Sequence, residues 1–173
     1  RSDRLVVMAK KAAKILRETY RVPDSKVDVI HHGIPDVDFV DSHVYKAQFG
    51  VDGRQVLLTF GLIGPGKGIE HAIELVRRLE RQATLVISHA SGDEGYDYEQ
   101  RIREYSRLMG VKTRFVHHII NEKRGRTDDG RKIYTLEDIY PHADLVTYPS
   151  NFEGFGNAFL EAVFFHRPIV VNT

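Results

Sequence analysis

Short apolar runs recur along the chain, and stretches with helical spacing separate them. The runs are rich in Val, Ile and Leu and lie at 5–8, 27–30, 56–60, 84–88, 114–117, 145–148 and 168–171. Their apolar residues are continuous rather than alternating, which is typical of strands that a parallel sheet buries on both faces. The pattern therefore predicts a series of buried parallel strands.

Helical patterns fill several of the intervals between these runs. Apolar residues recur three or four positions apart at Ile69, Ile73, Val76 and Leu79, and again at Tyr98, Ile102, Tyr105 and Met109. Gly110 follows the second pattern, where a glycine commonly ends a helix. Thr135 and Asp138 have the spacing of a helix capping box. Alternating strands and helices predict an α/β fold, a Rossmann-like doubly wound parallel sheet.

Composition narrows the class of protein. The 173 residues are enough for one domain or one and a piece, and 42% are hydrophobic, which excludes a disordered chain. No apolar run approaches the roughly 18 residues of a membrane-spanning helix, and nothing in the sequence indicates membrane association. Because 25 Lys and Arg balance 24 Asp and Glu, a nucleic-acid partner is not expected. The absence of Cys excludes disulfides and thiol catalysis and fits a cytoplasmic protein.

A turn cluster predicts a division of the chain. The segment HHGIPD at 31–36 contains Gly and Pro and precedes a short polar stretch. We expect residues 1–35 to end one domain, 36–42 to form a linker and 43–173 to form a second domain. The chain starts with Arg1 rather than Met and stops directly after an apolar run, so we expect a piece of a longer protein whose second domain continues.

The glycine-rich segment GLIGPGKG at 61–68 is the first candidate for chemistry. It follows a predicted strand and opens a predicted helix, and Gly61, Gly64, Gly66 and Lys67 belong to it. Glycines let the backbone approach a ligand, and a helix N-terminus offers free N–H donors, so a phosphate is the expected guest. The alternative is a tight turn with a solvated lysine. The segment also approaches the Walker A motif, but Gly68 stands where that motif has Ser or Thr to bind magnesium.

A second glycine loop, PSNFEGFGNAFLEA at 149–162, follows the run at 145–148. Backbone N–H groups of Phe155, Gly156 and Asn157 are placed to hold a diphosphate at a helix start. Glu153 lies in the loop, where it either caps the helix or accepts sugar hydroxyls. Glu161 lies in a helix that is apolar nearly all round, and a buried carboxylate needs a partner, which favours a functional role over a surface position.

Two pairs of adjacent histidines resemble metal ligands. They are His31 with His32 and His117 with His118. Neighbours on a strand point to opposite faces, so neither pair is expected to chelate one ion. We therefore predict no metal site.

These segments together resemble group 1 glycosyltransferases, the fourth sequence family with the two-domain GT-B architecture. VIHHGI at 29–34 is similar to the family's Val-Ile-Pro-Asn-Gly-Val, and 61–68 is similar to its Gly-Arg-Leu-x-x-x-Lys-Gly loop. EGFGNAFLE at 153–161 matches the Glu-x7-Glu signature, and the flanking 143–150 and 162–173 resemble the strands on either side of it. The resemblance covers nearly the whole chain in the family's order.

The resemblance implies that this chain holds the end of the N-terminal acceptor domain and most of the C-terminal nucleotide-sugar-binding domain. The implied activity is retaining transfer of a hexose from a nucleoside diphosphate sugar to an acceptor hydroxyl, without metal or cofactor. UDP is the expected nucleotide, with GDP and ADP as alternatives. We expect the isolated chain to be inactive because most of the N-terminal domain is missing.

Residue roles follow from the matched motifs. The glycine loop and Lys67 would bind the donor diphosphate, and Phe155, Gly156 and Asn157 would contact sugar and phosphates. Glu153 would act at the transferred sugar, and Glu161 would bind the ribose. Ile119 and Ile120 fall where the family packs on the base. In one departure, Leu62 stands in place of the family's Arg, which removes one positive charge from the diphosphate site.

Three alternative functions remain open at this point. A nucleoside-triphosphatase would need magnesium, against which Gly68 argues. A nucleotide-sugar epimerase shares the fold but uses no acceptor. A non-catalytic nucleotide-binding module would use the same loops without any transfer.

Overall fold

The structure is a computed structural model that describes residues 2–33, 47, 50–51, 53–79, 83–91, 95–151 and 156–172. It divides into two compact units, one of Arg1–Pro35 with Glu153–Asn157 and one of Asp36–Phe152 with Ala158–Thr173. The predicted linker at 36–42 lies outside the described residues. The assignment of residues 1–35 to an acceptor domain therefore stays a prediction.

The first unit contains two short parallel strands and a helix. They are β1 (Leu5–Val7), α1 (Lys10–Glu18) and β2 (Val27–Val29), and β1 pairs with β2. Arg4 donates two hydrogen bonds to the Asp28 carboxylate, at 2.7 and 2.6 Å, beside this pairing. Both predicted strands are confirmed, each one residue shorter at its carboxyl end.

The second unit is a five-stranded parallel sheet with helices between its strands. In chain order its elements are β3 (Gln55–Ile63), α2 (Ile69–Arg78), β4 (Ala83–Ser91), α3 (Gly95–Leu108), β5 (Thr113–Phe115), the hairpin β6 (Gly125–Arg126) and β7 (Lys132–Ile133), β8 (Leu145–Tyr148), α4 (Asn157–Phe164) and β9 (Ile169–Val171). The sheet order is β5-β4-β3-β8-β9.

This sheet is buried on both faces, as the continuous apolar runs predict. Leu58, Val86 and Val146 pack into one hydrophobic cluster, while Leu57 and Leu85 pack into the other. Neighbouring strand residues thus pack into opposite layers of the core.

The direction in which successive strands are added to the sheet reverses between β3 and β8, and we call this position the crossover. The chain builds outward from β3 through β4 to β5 and then returns to place β8 on the other side of β3. The loops that follow β3 and β8 therefore leave the same edge of the sheet side by side. In doubly wound sheets this position is where ligands bind.

Three predicted strand ends are wrong, and one of them is that of β4, which continues to Ser91 rather than ending at Ser88. β3 continues to Ile63, because Gly61 and Leu62 pair with His89 and Ala90 of β4. The glycine loop is therefore 64–68, and Gly61 and Leu62 belong to a strand. β5 ends at Phe115, and His117 lies in a 3₁₀ turn, His117–Ile119, rather than at the end of a strand.

Local signals at helix ends are confirmed. Gly110 follows α3 with a φ of 64°, the left-handed conformation of a helix cap. The Thr135 and Asp138 pair forms a reciprocal capping box at a 3₁₀ turn, Leu136–Asp138. Buried Asp138 also accepts hydrogen bonds from Arg124 at 2.9–3.0 Å, which ties the irregular segment 121–131 to the domain. None of the helices in the described part of the chain is long and apolar enough to cross a membrane.

Candidate functional site

The loop 64–68 connects β3 to α2 through two glycines with positive φ. Gly66 has a φ of 86° and Gly68, the residue that caps α2, has a φ of 69°. Both angles strain any residue with a side chain. A Cβ at Gly68 would also lie 2.5 Å from the carbonyl oxygen of Pro149, a distance that atoms do not tolerate. Position 68 therefore has no room for the Ser or Thr of a Walker A motif.

The loop after β8 holds the loop after β3 in place. The Asn151 N–H donates to the carbonyl oxygen of Gly66 at 2.9 Å. The Ser150 hydroxyl donates to the same oxygen at 3.4 Å. Because Pro149 also packs on Gly68, three successive residues of one loop contact the other. The two segments that sequence analysis singled out independently are thus joined at the crossover.

Helix α2 begins directly after the loop 64–68. Its first turn leaves backbone N–H groups without helical partners, and these carry partial positive charge. Lys67, half-buried, immediately precedes the cap residue Gly68. The arrangement suits an anion, because backbone donors, the helix dipole and an ammonium group lie within a few residues of one another.

Glu161 lies one turn into α4 and is half-buried. Its Oε2 accepts a hydrogen bond of 2.6 Å from the hydroxyl of Tyr140, which is fully buried. Burial raises the pKa of Tyr140 well above its usual value, and the charge and hydrogen bond of Glu161 raise it further. At neutral pH the Tyr140 hydroxyl therefore stays protonated and donates to Glu161. The expectation that Glu161 needs a partner is confirmed, and that partner is a residue that sequence analysis missed.

The carboxyl ends of β4 and β5 present a second group of polar atoms. Among the described residues, Ser88 Oγ and His117 Nδ1 are buried without a hydrogen-bond partner. Such atoms usually bind water or a ligand. Desolvation lowers the pKa of His118, and the neighbouring basic side chains of His117, Arg131 and Arg103 lower it further. This end of the sheet therefore combines buried polar atoms with nearby basic side chains.

The residues predicted to pack on the base lie beside these atoms. Ile119 ends the 3₁₀ turn and is only 3% exposed, because its side chain is part of the core. Ile120 is half-buried and forms a bridge with Tyr134. A role in base contact stays a prediction, and Ile120 has more surface to offer than Ile119.

Several predicted residues receive only partial description. Glu153 and Phe155 lie outside the described residues. Gly156 is buried with a φ of 91°, and exposed Asn157 begins α4, as the motif predicts. No group of three or more metal-ligating side chains occurs within the ranges that the structure describes. Donor contacts and metal independence both stay predictions.

Comparison with known proteins identifies the family. The family described as "Glycosyl transferases group 1" matches residues 54–173. A D-inositol 3-phosphate glycosyltransferase from Mycobacteroides abscessus is 27% identical over 98% of this chain and 36% of its own length. A mannosylglucosylglycerate synthase from Petrotoga mobilis is 37% identical over 43% of this chain and 17% of its own length.

Solved structures give the same fold. Anabaena HepE in complex with UDP and glucose superposes with a TM-score of 0.77 and 19% identity, over 98% of this chain and 44% of HepE. The predicted fold, a Rossmann-like doubly wound sheet from the C-terminal half of the GT-B architecture, is confirmed. This chain spans less than half the length of the relatives it matches.

The family match covers most of the chain and includes both loops at the crossover, Lys67 and Glu161. Its extent and the common fold agree with the motifs. This protein belongs to the group 1 glycosyltransferases.

Proposed function

We propose that this chain is the donor-binding part of a retaining glycosyltransferase that moves a hexose from a nucleoside diphosphate sugar to an acceptor hydroxyl. The observation that carries the proposal is the junction of the two loops at the β3/β8 crossover, beside the α2 N-terminus. This junction presents backbone N–H donors and Lys67 at the position where doubly wound sheets bind nucleotides.

The chemistry of transfer needs stabilisation of a leaving group. As the glycosidic bond breaks, the nucleoside diphosphate gains negative charge on its terminal phosphate. The α2 N-terminus contributes roughly half a positive charge, and Lys67 adds a full one, with no reorganisation during the reaction. This stabilisation requires no metal. Because the family's Arg is Leu62 here, Lys67 and the helix carry the larger share.

The two signature glutamates have different roles in the proposal. Glu161 accepts hydrogen bonds from the ribose hydroxyls, since its carboxylate has acceptor capacity beyond the one bond from Tyr140. Glu153 acts at the transferred sugar, where it supports positive charge at the anomeric carbon. The glycine loop at 64–68 contacts the phosphates, and Ile120 with Ile119 contacts the base.

The nucleotide of the donor is proposed from the relatives. HepE is described in complex with UDP and with UDP-glucose, so UDP is the first nucleotide to test, with GDP and ADP as alternatives. Retention, the hexose, the hydroxyl acceptor and a cytoplasmic location belong to the proposal as well.

The other functions have weaker support. A triphosphatase would need a hydroxyl at position 68, where the Pro149 carbonyl leaves no room for a side chain. An epimerase would convert the nucleotide sugar without any acceptor, and analysis of the products separates the two activities. A non-catalytic module would bind the nucleotide but would not transfer sugar when rejoined to its partner domain.

Calorimetric titration of this chain with UDP, GDP, ADP and uridine tests the proposal. We expect one diphosphate to bind more tightly than the bare nucleoside, equally in magnesium and in EDTA. Lys67→Ala should weaken the diphosphate and leave uridine unchanged, whereas Lys123→Ala, an exposed loop lysine, should change neither. A strict need for magnesium would instead support the triphosphatase.

A second experiment tests the enzyme. The isolated chain should show no transfer, and a chain with the complete N-terminal domain should transfer sugar with retention. There, Glu153→Ala should lower turnover more than donor affinity, because its contact strengthens in the transition state. Normal turnover of that variant would remove Glu153 from the mechanism.

A further inference from the structure

We propose that Tyr140 is a positioning residue that holds the Glu161 carboxylate in the orientation required to bind the ribose of the donor. The inference rests on the proposed function of Glu161 and adds a residue that none of the matched motifs contains. Its basis is the hydrogen bond of 2.6 Å from the Tyr140 hydroxyl to Glu161 Oε2.

Tyr140 is itself held firmly. It begins a 3₁₀ turn, Tyr140–His142, and lies between buried Ile139 and the half-buried Pro141. Its ring stacks on Phe165, with centroids 5.2 Å apart and planes 9° from parallel. A fully buried, stacked ring has one orientation, so its hydroxyl is a fixed point for any group that it binds.

Glu161, in contrast, would be mobile without this contact. A glutamate has three rotatable side-chain bonds, and ordering such a side chain on binding costs free energy. Two adjacent ribose hydroxyls require a carboxylate whose plane is fixed. Tyr140 occupies one of about four acceptor positions on the carboxylate and leaves the rest for a ligand.

Position in the fold supports the same conclusion. Glu161 and Phe165 are one helical turn apart, and the Phe165 N–H donates to the Glu161 carbonyl at 2.9 Å. The side chains of Tyr140 and Phe165 stack on each other, so the turn at 140–142 is fitted to the very stretch of helix that carries Glu161. The hydrogen bond from Tyr140 therefore fixes the Glu161 carboxylate, because the Tyr140 ring is itself held by Phe165.

The test compares UDP with 2′,3′-dideoxy-UDP, which lacks the ribose hydroxyls. Tyr140→Phe keeps the ring and its stacking but removes the donor. We expect it to weaken UDP by about threefold to tenfold, the range for ordering one flexible side chain, and to leave the dideoxy compound unchanged. Tyr105→Phe, which removes a Tyr–Glu bond elsewhere, should change neither affinity.

A double-variant cycle completes the test. In a Glu161→Ala background, Tyr140→Phe should have no further effect on UDP, because the two residues act as one unit. Equal weakening of both nucleotides, or an effect that persists without Glu161, would overturn the positioning role.

The two variants test the ribose role of Glu161 and the positioning role of Tyr140 separately. If Glu161→Ala leaves the preference for UDP over the dideoxy compound intact, the ribose role of Glu161 is wrong and the positioning role falls with it. If Glu161→Ala removes the preference but Tyr140→Phe does not, only the positioning role is wrong.

If Tyr140→Phe does not fold, 3-fluorotyrosine at position 140 retains the hydroxyl and reports on it by ¹⁹F resonance. The ¹⁹F chemical shift of this residue should change more when UDP is added than when the dideoxy compound is added. An equal response to the two nucleotides would overturn the proposal.

Discussion

Two tyrosine–glutamate hydrogen bonds in this domain have similar chemistry in different surroundings. Tyr140 donates to Glu161 at 2.6 Å, and Tyr105 of α3 donates to Glu74 of α2 at 3.0 Å. Tyr140 is fully buried, whereas the Glu74 side chain is 43% exposed and also lies near His71. The first bond fixes a half-buried carboxylate, while the second joins two surface helices.

Because their surroundings differ, we expect one bond to affect the stability of the fold and the other to affect ligand binding. A hydrogen bond between partly exposed groups exchanges easily with water, so its net contribution to the stability of the fold is small. It affects only the two helices that it joins. A bond from a rigid, buried donor restricts the partner carboxylate, and that restriction can be passed to a ligand. Changes at Tyr140 and Glu161 should therefore alter nucleotide affinity, and changes at Tyr105 and Glu74 should alter only stability.

Gly68→Ala should have the largest effect, because it separates the two loops that frame the site. The new Cβ meets the Pro149 carbonyl at 2.5 Å, and the φ of 69° adds backbone strain. We expect the free energy of unfolding to fall by about 2–4 kcal/mol, with nucleotide binding lost. Urea unfolding followed by circular dichroism measures the first effect.

Gly130→Ala is the matched control for that change. Gly130 has a φ of 82°, but a Cβ at this position would meet no atom within 4 Å. Gly130→Ala therefore measures the backbone strain without the steric clash. Its cost should be about 1–2 kcal/mol, with nucleotide affinity unchanged. Equal costs at the two glycines would show that the contact between Gly68 and Pro149 contributes nothing.

Glu161→Ala should weaken UDP binding by about 1.5–3 kcal/mol, the scale of a hydrogen bond to a charged group. UDP and the UDP sugar should lose affinity equally, since both contain the ribose. Glu74→Ala should leave the affinity unchanged. Unaltered UDP binding by a folded Glu161→Ala chain, measured by calorimetry, would remove Glu161 from the site.

Alkaline pH should separate the two tyrosines by their surroundings. Burial raises the pKa of Tyr140, while the bond to Glu74 is the main cause of the raised pKa of Tyr105. A group whose pKa is raised by folding stabilises the fold fully below its unfolded pKa, and that contribution is lost as pH rises past about 10.

The wild-type free energy of unfolding should therefore fall above about pH 10 more steeply than that of Tyr140→Phe, by up to about 1.4 kcal/mol per pH unit. Tyr105→Phe should change the slope less, because Tyr105 remains partly accessible to water. Unfolding curves measured from pH 8 to 11 in about four steps give both slopes. Parallel slopes for wild type and Tyr140→Phe would contradict the buried hydrogen bond.

Tyr105→Phe should have the smallest effect. Loss of a partly exposed hydrogen bond should lower the free energy of unfolding only slightly. UDP affinity should stay at the wild-type value in calorimetry. A loss of affinity comparable with that of Tyr140→Phe would show that the Tyr105–Glu74 bond also affects binding. It would contradict the difference expected between the two bonds.

Much of the fold could be predicted from the sequence because its signals are local. Continuous Val, Ile and Leu runs marked the strands, and Gly110 and the Thr135–Asp138 pair marked helix ends. The end of β3 could not be predicted, because Gly61 and Leu62 are held in the strand by pairing with β4 rather than by their own propensity.

The candidate site was predictable only in its parts. Both glycine loops and the need of Glu161 for a partner were visible, since each is encoded by adjacent residues or by one helix. The identity of that partner was not, because Tyr140 is 21 positions away and no periodicity links it to Glu161. The collision that requires glycine at 68 likewise depends on Pro149, which only the folded sheet brings near.

We propose that a nucleoside diphosphate binds at the β3/β8 crossover. Titration of the isotope-labelled chain with UDP, followed by backbone amide chemical shifts, tests it directly. We expect the largest changes at 64–71, at 150–151 and at Glu161, and smaller changes in Lys67→Ala. Changes centred on the opposite edge of the sheet, around Arg54 and Lys112, would contradict it, as would no response to UDP, GDP or ADP.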